Sequence, residues 1–285
     1  MLTLHIGAHK TATTHLQQTL QANASEIARA GVTCLCPPDL RGGAVRLGFI
    51  ASGAGASEDA RAALGGRLAG RDAVLISEEN VLGTAHDPQI PRQGRFYPQA
   101  EARLSRVIEA AGMRPVRLML AVRDPADFLV SAYGQRLLAG TIEPFGAYLQ
   151  GCDPAALRWS ELVGRLCAVA GVSGCTIWRY EDWPAVAPDV LAAMLPETLA
   201  ATIDVAPAVS NPGLSQRAQR WVLRRHARGE AGAETARVAR RKFPKSATEP
   251  AFQPLGEDTR ARSAAAYARD LAALARIPGV SLIAQ

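Results

Sequence analysis

A run near the amino terminus combines the residue types that bind phosphate groups. It reads HIGAHKTATTHLQ over positions 5–17. The pattern predicts an apolar strand, then a turn of small residues, then a helix that begins near Thr13 or Thr14. Several backbone N–H groups and the helix N-terminus would then point at one spot, and that geometry binds phosphate. Lys10 adds a positive charge, and the threonine hydroxyls, including that of Thr11, can donate to phosphate oxygens. The run is not a Walker A loop, because no glycine stands immediately before the lysine.

An arginine and a serine follow a second apolar run. Arg123 comes directly after residues 116–122, which predict a buried strand, and open parallel sheets bind ligands at the carboxyl ends of their strands. Ser131 lies eight residues later, about two turns along the following helix, so it can face back toward the strand end. The two side chains could clamp a phosphate by charge and hydrogen bonding. Asp124 could be interpreted as a magnesium ligand, but its place before Pro125 favours a helix cap.

Two carboxylates lie at the end of a third apolar run. Glu78 and Glu79 follow residues 74–77, where a predicted central strand ends. A carboxylate there could take the proton of an attacking hydroxyl or amine, although a solvated strand end is the alternative interpretation. Because side chains alternate along a strand, the two carboxylates should point to opposite sides, and at most one should face the ligand. Glu79 is the preferred base, with Glu78 as the alternative.

The first two motifs resemble the nucleotide-binding elements of sulfotransferases that use 3′-phosphoadenosine 5′-phosphosulfate (PAPS). Residues 10–14 resemble the loop that binds the 5′-phosphosulfate, whose usual form is Lys-Thr/Ser-Gly-Thr-Thr. Ala12 stands where the family commonly has glycine, and alanine is compatible with such a loop if its φ is negative. Arg123 and Ser131 resemble the family's 3′-phosphate-binding pair. The resemblance covers residues 1–185 and implies that the chain binds PAPS as its co-substrate.

The resemblance also implies a reaction, the transfer of a sulfuryl group from PAPS to a hydroxyl or amine with no metal required. In it, Lys10 would stabilise the leaving phosphate, and His9, inside the loop, could contact the sulfate. The acidic pair resembles the strand-end base of glycosaminoglycan N-sulfotransferases, whereas cytosolic sulfotransferases use a histidine from a region comparable to that of His86. Residues 178–183 resemble the strand-end Tyr-Glu-Asp segment of the family, which we interpret as scaffold.

The elements that position these residues alternate along the chain. Short apolar runs and helical patterns follow one another over residues 1–180, which predicts a doubly wound, mainly parallel α/β sheet of the P-loop NTPase type. The predicted strands cover 2–6, 32–36, 73–77, 116–122 and 176–180. The predicted helices cover 14–30, 100–111, 125–139, 154–170, 214–229 and 257–276. We expect one domain, with an α/β core over 1–185, a mainly helical part over 186–285, and irregular stretches over 41–57 and 83–98.

Composition limits the classes of function. The chain has 285 residues and a formal net charge of +6, which favours anionic ligands. Five cysteines without a disulfide spacing are typical of a reducing cytoplasm. No apolar run approaches the roughly 18 residues of a membrane helix, and the first residues lack the pattern of a signal peptide. We therefore expect a cytoplasmic protein without a membrane span.

Two other classes of function share part of this pattern. A nucleotide-dependent kinase would have a similar sheet and loop, but the Gly-Lys-Ser/Thr sequence is missing. A nucleic-acid-binding protein would explain the basic tract over 217–245, but aromatic residues make up only 5% of the chain and do not interleave with the basic ones. The tract could instead cover the nucleotide, bind an anionic acceptor or form a solvated helix face. The sequence leaves the acceptor open, as a small molecule or a carbohydrate.

Overall fold

A parallel sheet forms the centre of the fold. The computed structural model describes residues 1–53, 58–84, 89–112, 115–207, 213–232 and 234–284. Its strands are β1 (Leu2–His5), β2 (Val32–Leu35), β3 (Ala73–Ser77), β4 (Val116–Val122), β5 (Val172–Arg179) and β6 (Val280–Ile283). They lie in the order β2-β3-β1-β4-β5-β6, and every neighbouring pair is parallel. The predicted parallel α/β fold is confirmed, with β1 between β3 and β4.

Helices connect the strands and cover the sheet. In the described ranges the α-helices are α1 (Thr13–Ala22), α2 (Ala24–Arg29), α3 (Pro37–Leu40), α4 (Leu47–Ser52), α5 (Glu58–Leu68), α6 (Gln89–Gln93), α7 (Ala100–Ala110), α8 (Pro125–Leu138), α9 (Phe145–Leu149), α10 (Trp159–Cys167), α11 (Ala187–Met194), α12 (Glu197–Ala200), α13 (Gln216–Ala227), α14 (Thr235–Lys242) and α15 (Glu257–Leu274). Short 3-10 helices cover Glu79–Val81, Pro154–Ala156 and Tyr180–Asp182. Among the helices described here, none is long and apolar enough to cross a membrane.

The sheet buries a hydrophobic core on each of its faces. Alternate residues of β4 belong to different cores: Leu118 and Leu120 to the larger one, Met119 and Ala121 to the smaller one. Buried side chains of α5, α7, α8 and α10 complete the larger core, and those of α1, α2 and α11 complete the smaller one. Strands that are apolar on both faces are typical of parallel sheets between two helical layers. The predicted doubly wound arrangement is therefore confirmed.

Two predicted helices are divided in the structure. The helix predicted over 14–30 is interrupted at Asn23, whose side-chain nitrogen donates to the Asp204 carbonyl at 3.0 Å. The helix predicted over 154–170 becomes a 3-10 turn followed by α10, because Arg158 between them is extended at φ −131° and ψ 122°. The first helix is interrupted where a tertiary contact forms, and the second where one residue is extended. The helical pattern of the sequence shows neither interruption.

Three elements lie in parts of the chain for which a different kind of structure is predicted. The stretches over 41–57 and 83–98 are predicted to be irregular, but they contain the short helices α4 and α6. β6 lies in the part predicted to be mainly helical, and it pairs with β5 at the edge of the sheet. β6 follows the long helix α15 after a turn at Gly279, and a short apolar run there cannot be told from the end of a helical pattern by periodicity alone.

Candidate active site

The loop between β1 and α1 has the shape of an anion-binding turn. β1 ends at His5 near the centre of the sheet, and α1 begins at Thr13. Between them Gly7, Lys10 and Ala12 have φ values of 37°, 66° and 61°. Backbone that enters the left-handed region can turn successive N–H groups toward one point, which forms a concave anion site. A side chain is excluded at Gly7, since its Cβ would lie 2.6 Å from the Thr13 Oγ1.

Ala12 does not meet the condition under which alanine is compatible with this loop. Its φ is positive, and the residue lies in the left-handed region at φ 61° and ψ 16°, immediately before α1. For a residue with a Cβ atom this region costs about 1 to 2 kcal/mol. Glycine would carry no such cost, which is a physical reason for the glycine in the loops that this one resembles. Other contacts must therefore hold the loop in place.

Two of the threonines contribute such contacts. The Oγ1 atoms of Thr11 and Thr13 donate to the Ala8 carbonyl at 2.5 and 3.3 Å. Both residues are buried, whereas Thr14 is exposed in the first turn of α1. Because the hydroxyl protons of Thr11 and Thr13 are used within the loop, the threonine proton that remains for a phosphate is that of Thr14.

A tyrosine and an asparagine hold His9, and through it the loop. The Tyr97 hydroxyl accepts from the His9 backbone N–H and contacts its Nδ1, both at 3.0 Å. The Nε2 of His9 lies 3.3 Å from the Asn80 Oδ1. A neutral ring with its hydrogen on Nε2 satisfies these three contacts. The structure thus gives His9 a part in shaping the loop, because both ring nitrogens face protein groups.

A buried histidine lies beneath the same loop. His5 is fully buried, and burial lowers its pKa to about 4, so the ring is neutral at pH 7. Its Nδ1 is 2.7 Å from the Ser77 Oγ, and its Nε2 has no hydrogen-bond partner among the described residues. That Nε2 lies 3.3 Å from where a Cβ at Gly7 would stand. An unpartnered polar atom therefore points at the loop from the sheet.

Arg123 and Ser131 lie at the carboxyl end of β4 and on α8, as predicted. Nη1 of Arg123 donates to the Lys10 carbonyl at 2.9 Å, and the guanidinium carbon lies 4.3 Å from the centre of the Tyr180 ring. Its Nε is buried without a hydrogen-bond partner in the described ranges. Ser131 is half-buried, and its hydroxyl makes no hydrogen bond with any residue that the structure describes. Both side chains therefore retain groups that a ligand can use.

Asp124 caps α8. Its Oδ1 accepts from the Ala126 backbone N–H at 2.8 Å and from the Ser263 hydroxyl at 2.9 Å. This confirms the helix-cap interpretation and leaves the magnesium-ligand interpretation without support from the geometry. In the described part of the chain, no group of three or more His, Cys, Asp or Glu side chains could hold a metal ion.

Four cations converge on the loop. Burial lowers the pKa of the Lys10 ammonium, and the positive charges of Arg123, Arg240 and Lys245 lower it further. None of the four forms an ion pair within the described residues. Arg240 and Lys245 belong to the basic tract over 217–245, which therefore approaches the loop. Cations held together without a counter-charge attract anions.

The acidic pair is arranged differently from the prediction. β3 ends at Ser77 and the chain turns into a 3-10 helix at Glu79, so strand alternation no longer applies to these residues. Arg41 donates to the Glu78 carboxylate through Nε and Nη2, both at 2.8 Å, and its Nη2 also donates to Glu79 at 2.6 Å. The prediction that the two carboxylates point to opposite sides is wrong, since one guanidinium contacts both.

Burial and partners separate the two carboxylates. The Glu78 side chain is 1% exposed, and its Oε1 also accepts from the backbone N–H and side-chain nitrogen of Asn80 at 3.0 and 2.8 Å. The Glu79 side chain is 15% exposed and accepts from the Gln17 Nε2 at 2.9 Å. Glu78 therefore caps the 3-10 turn, and Glu79 is the member of the pair that reaches solvent.

Glu79 is ionised at neutral pH. Burial alone would raise its pKa, but the charge of Arg41 and hydrogen bonds from the backbone and Gln17 outweigh burial, so the pKa lies below the usual value of 4.5. An ionised carboxylate can accept a proton. The competing base, His86, lies outside the described residues.

Sequence patterns do not reveal three residues of this site. Arg41, Asn80 and Tyr97 lie in or beside stretches without a regular pattern. Their contacts are made across the fold: Arg41 reaches Glu78 over 37 positions, and Tyr97 reaches His9 over 88. Of the three, only Arg41 has a sequence signal that could mark it as a site residue. That signal is its charge at the start of a glycine-rich stretch.

Comparisons with known proteins give a structural relative. No protein-family model matches the chain, and no curated protein matches it. Among solved structures the chain is similar to a sulfotransferase from Alicyclobacillus acidocaldarius, with a TM-score of 0.40 and 15% sequence identity. The match covers 73% of this chain and 86% of that one. Similarity this low carries no weight for function, which is argued below from the site residues.

Proposed function

We propose that this protein transfers a sulfuryl group from PAPS to a hydroxyl or amine of an acceptor. The observation that carries the proposal is the cluster of Lys10, Arg123, Arg240 and Lys245 at a concave loop, none of them paired with a described carboxylate. A ligand with several negative charges would offset their repulsion. PAPS brings two anionic groups, a 5′-phosphosulfate and a 3′-phosphate.

The unused polar groups fit these two anions. The loop amides and Lys10 would hold the 5′-phosphosulfate, because a concave loop before a helix presents N–H groups to an anion. Arg123 and Ser131 would hold the 3′-phosphate, through guanidinium N–H groups other than the one that donates to the Lys10 carbonyl and through the hydroxyl that lacks a described partner. Arginine and a hydroxyl together give charge-assisted and directional hydrogen bonds to phosphate.

The proposed transfer is a single in-line step. The acceptor oxygen or nitrogen attacks the sulfur atom, and the bond between sulfur and the 5′-phosphate oxygen breaks. The acceptor proton passes to Glu79, while negative charge develops on the departing phosphate oxygen. Lys10 and the loop amides stabilise that charge. The scheme uses no metal, because side chains and amides meet each developing charge.

Arg41 sets the strength of the proposed base. By lowering the pKa of Glu79 it keeps this carboxylate ionised and also makes it a weaker proton acceptor. A weak base takes the proton only as the acceptor becomes acidic, which happens as its bond to sulfur forms. Proton transfer is then coupled to departure of the phosphate, in keeping with a single step.

Arg123→Ala tests the assignment of the 3′-phosphate. We expect this change to weaken binding of 3′-phosphoadenosine 5′-phosphate (PAP) by about 1.5 to 3 kcal/mol, the range of charge-assisted hydrogen bonds. Binding of adenosine 5′-phosphosulfate, which lacks the 3′-phosphate, should change far less. Isothermal titration calorimetry with both ligands measures the difference.

Ser131→Ala is the matched control, because the Ser131 hydroxyl contacts no described residue whereas Arg123 also donates to the Lys10 carbonyl. We expect it to weaken PAP binding by about 0.5 to 1.5 kcal/mol, with adenosine 5′-phosphosulfate again little affected. An equal loss of both ligands in both variants would show that this pair supports the loop and does not read the 3′-phosphate.

A further inference from the structure

A row of arginines follows the outer face of α13. We call Arg217, Arg220, Arg224 and Arg228 the arginine stripe; all four are exposed. Their spacings of three and four residues place them on one side of the helix. The opposite side is buried at Ala218, Gln219 and Val222.

None of the four stripe arginines forms a side-chain ion pair within the described residues, although the Glu249 carboxylate accepts from the Arg217 backbone N–H at 3.0 Å. Within the described residues, the ion pair of this helix is Arg225 with Glu230 at 3.5 Å, and neither residue belongs to the stripe. Arg241 and Lys242 of α14 add two more exposed cations beside it. Like charges three or four residues apart destabilise a helix. The helix dipole offsets this repulsion only in the last turn, at Arg224 and Arg228, and an anion along the row would lower it further.

The arginine stripe is part of the structure that surrounds the candidate site. The Ser215 hydroxyl at the start of α13 donates to the Phe243 carbonyl at the end of α14, at 2.8 Å. The same end of α14 carries Arg240, and Lys245 follows it, two of the cations that act on Lys10. On the buried side, Ala218 and Val222 belong to the same hydrophobic core as Tyr133 of α8, the helix that carries Ser131. Cations therefore continue from the loop to the stripe.

We propose that the acceptor is an anionic polysaccharide that docks along the arginine stripe, an inference that rests on the proposed sulfuryl transfer. The stripe runs from Arg217 to Arg228 along the helix axis, a length of roughly 16 Å. An occupant must repeat its negative charges over that length and also present a hydroxyl or amine to the loop. A polysaccharide with a carboxylate or sulfate on successive sugars meets both conditions.

Two other polyanionic surfaces fit less well. A helix that binds in a membrane interface exposes an apolar face, but the apolar side of α13 is packed against the protein. Proteins that bind single-stranded nucleic acid expose aromatic rings for base stacking. The one Trp, Tyr or Phe side chain of α13, Trp221, is half-buried, with Arg225 and Lys242 at 5.0 and 5.8 Å from the centre of its ring.

The test compares two pairs of substitutions in the full chain with PAP present. R220A/R224A removes two charges of the stripe, and R29A/R276A removes two exposed charges next to the start of β2 and of β6, at the opposite end of the strands. The probe is a labelled polygalacturonate oligosaccharide, with its methyl-esterified, neutral form as the ligand control. At low salt we expect R220A/R224A to weaken binding about tenfold, since each lost contact removes counterion release, and R29A/R276A to have little effect.

PAP affinity, measured on the same samples, should be unchanged in both variants. Equal weakening by the two pairs, or equal binding of the charged and neutral oligosaccharides, would overturn the proposal. So would a stronger effect of R220A/R224A on anionic phospholipid vesicles or single-stranded DNA than on polygalacturonate. PAP binding and oligosaccharide binding are two separate measurements. If the wild-type protein does not bind PAP, the proposed function is wrong, whatever the oligosaccharide measurement shows.

Discussion

Glu79→Gln should lower kcat for sulfuryl transfer by roughly 10² to 10⁴ while leaving PAPS affinity nearly unchanged. Glutamine has the same size as glutamate and lies within hydrogen-bonding distance of Gln17 and Arg41. It lacks the carboxylate that takes the proton from the attacking hydroxyl or amine. Single-turnover kinetics with labelled PAPS, together with calorimetry, separate the chemical step from binding.

The pH dependence gives a second readout for Glu79. Its pKa lies below 4.5, so the acid limb of kcat/KM should lie below that pH, and activity is lost as pH falls through the pKa of the free enzyme. Gln17→Met removes one hydrogen bond to the ionised carboxylate, which raises the pKa and should move the acid limb to higher pH.

Glu78→Gln is the matched control. It should leave kcat nearly unchanged. It should lower the free energy of unfolding by about 1 to 3 kcal/mol, because the buried Glu78 carboxylate caps a turn and binds Arg41, and the amide of glutamine makes both interactions less well. If kcat instead depends on Glu78, the base has been assigned to the wrong member of the pair. If neither change affects kcat and His86→Ala abolishes turnover, the base belongs to the loop.

Lys10→Ala should depress kcat by about 10² or more, because Lys10 is proposed to stabilise charge that develops only as the phosphate departs. PAP binding should weaken modestly, since Arg123, Arg240 and Lys245 remain. Lys10 has a φ of 66°, and alanine carries the same Cβ, so the substitution adds little backbone strain. The variant therefore reports on the ammonium.

Lys245→Ala serves as the control for Lys10. It removes a cation that acts on Lys10 from a different part of the chain, so it should reduce PAP affinity with little change in kcat. Equal losses of kcat in both variants would contradict a specific role for Lys10. They would mean that catalysis depends on the total positive charge around the loop and does not depend on a contact between Lys10 and the leaving oxygen.

The central strands could be predicted because their signal is local. Residues 74–76 and 118–122 are apolar and buried on both faces, and the observed β3 and β4 have the predicted bounds of 73–77 and 116–122. The placement of Arg123 and the cap at Asp124 follow from the same local pattern. β6 was not predictable in this way, because it is held by pairing with β5 and has no distinct pattern of its own.

The acidic pair shows where strand periodicity stops being informative. Alternation predicts opposite directions for Glu78 and Glu79, but it holds only while the chain is extended, and the chain turns at Glu79. The residue that brings both carboxylates together, Arg41, directly follows α3. Contacts between distant segments have no local sequence signature, and the support of His9 by Tyr97 is another such contact.

The most direct test of the central claim is calorimetry of the wild-type protein with PAP, ATP and AMP. The cation cluster and the pair of Arg123 and Ser131 predict that PAP binds at least about tenfold more tightly than ATP or AMP, a difference of about 1.4 kcal/mol or more. Equal affinities for the three nucleotides would contradict the assignment of this site to PAPS.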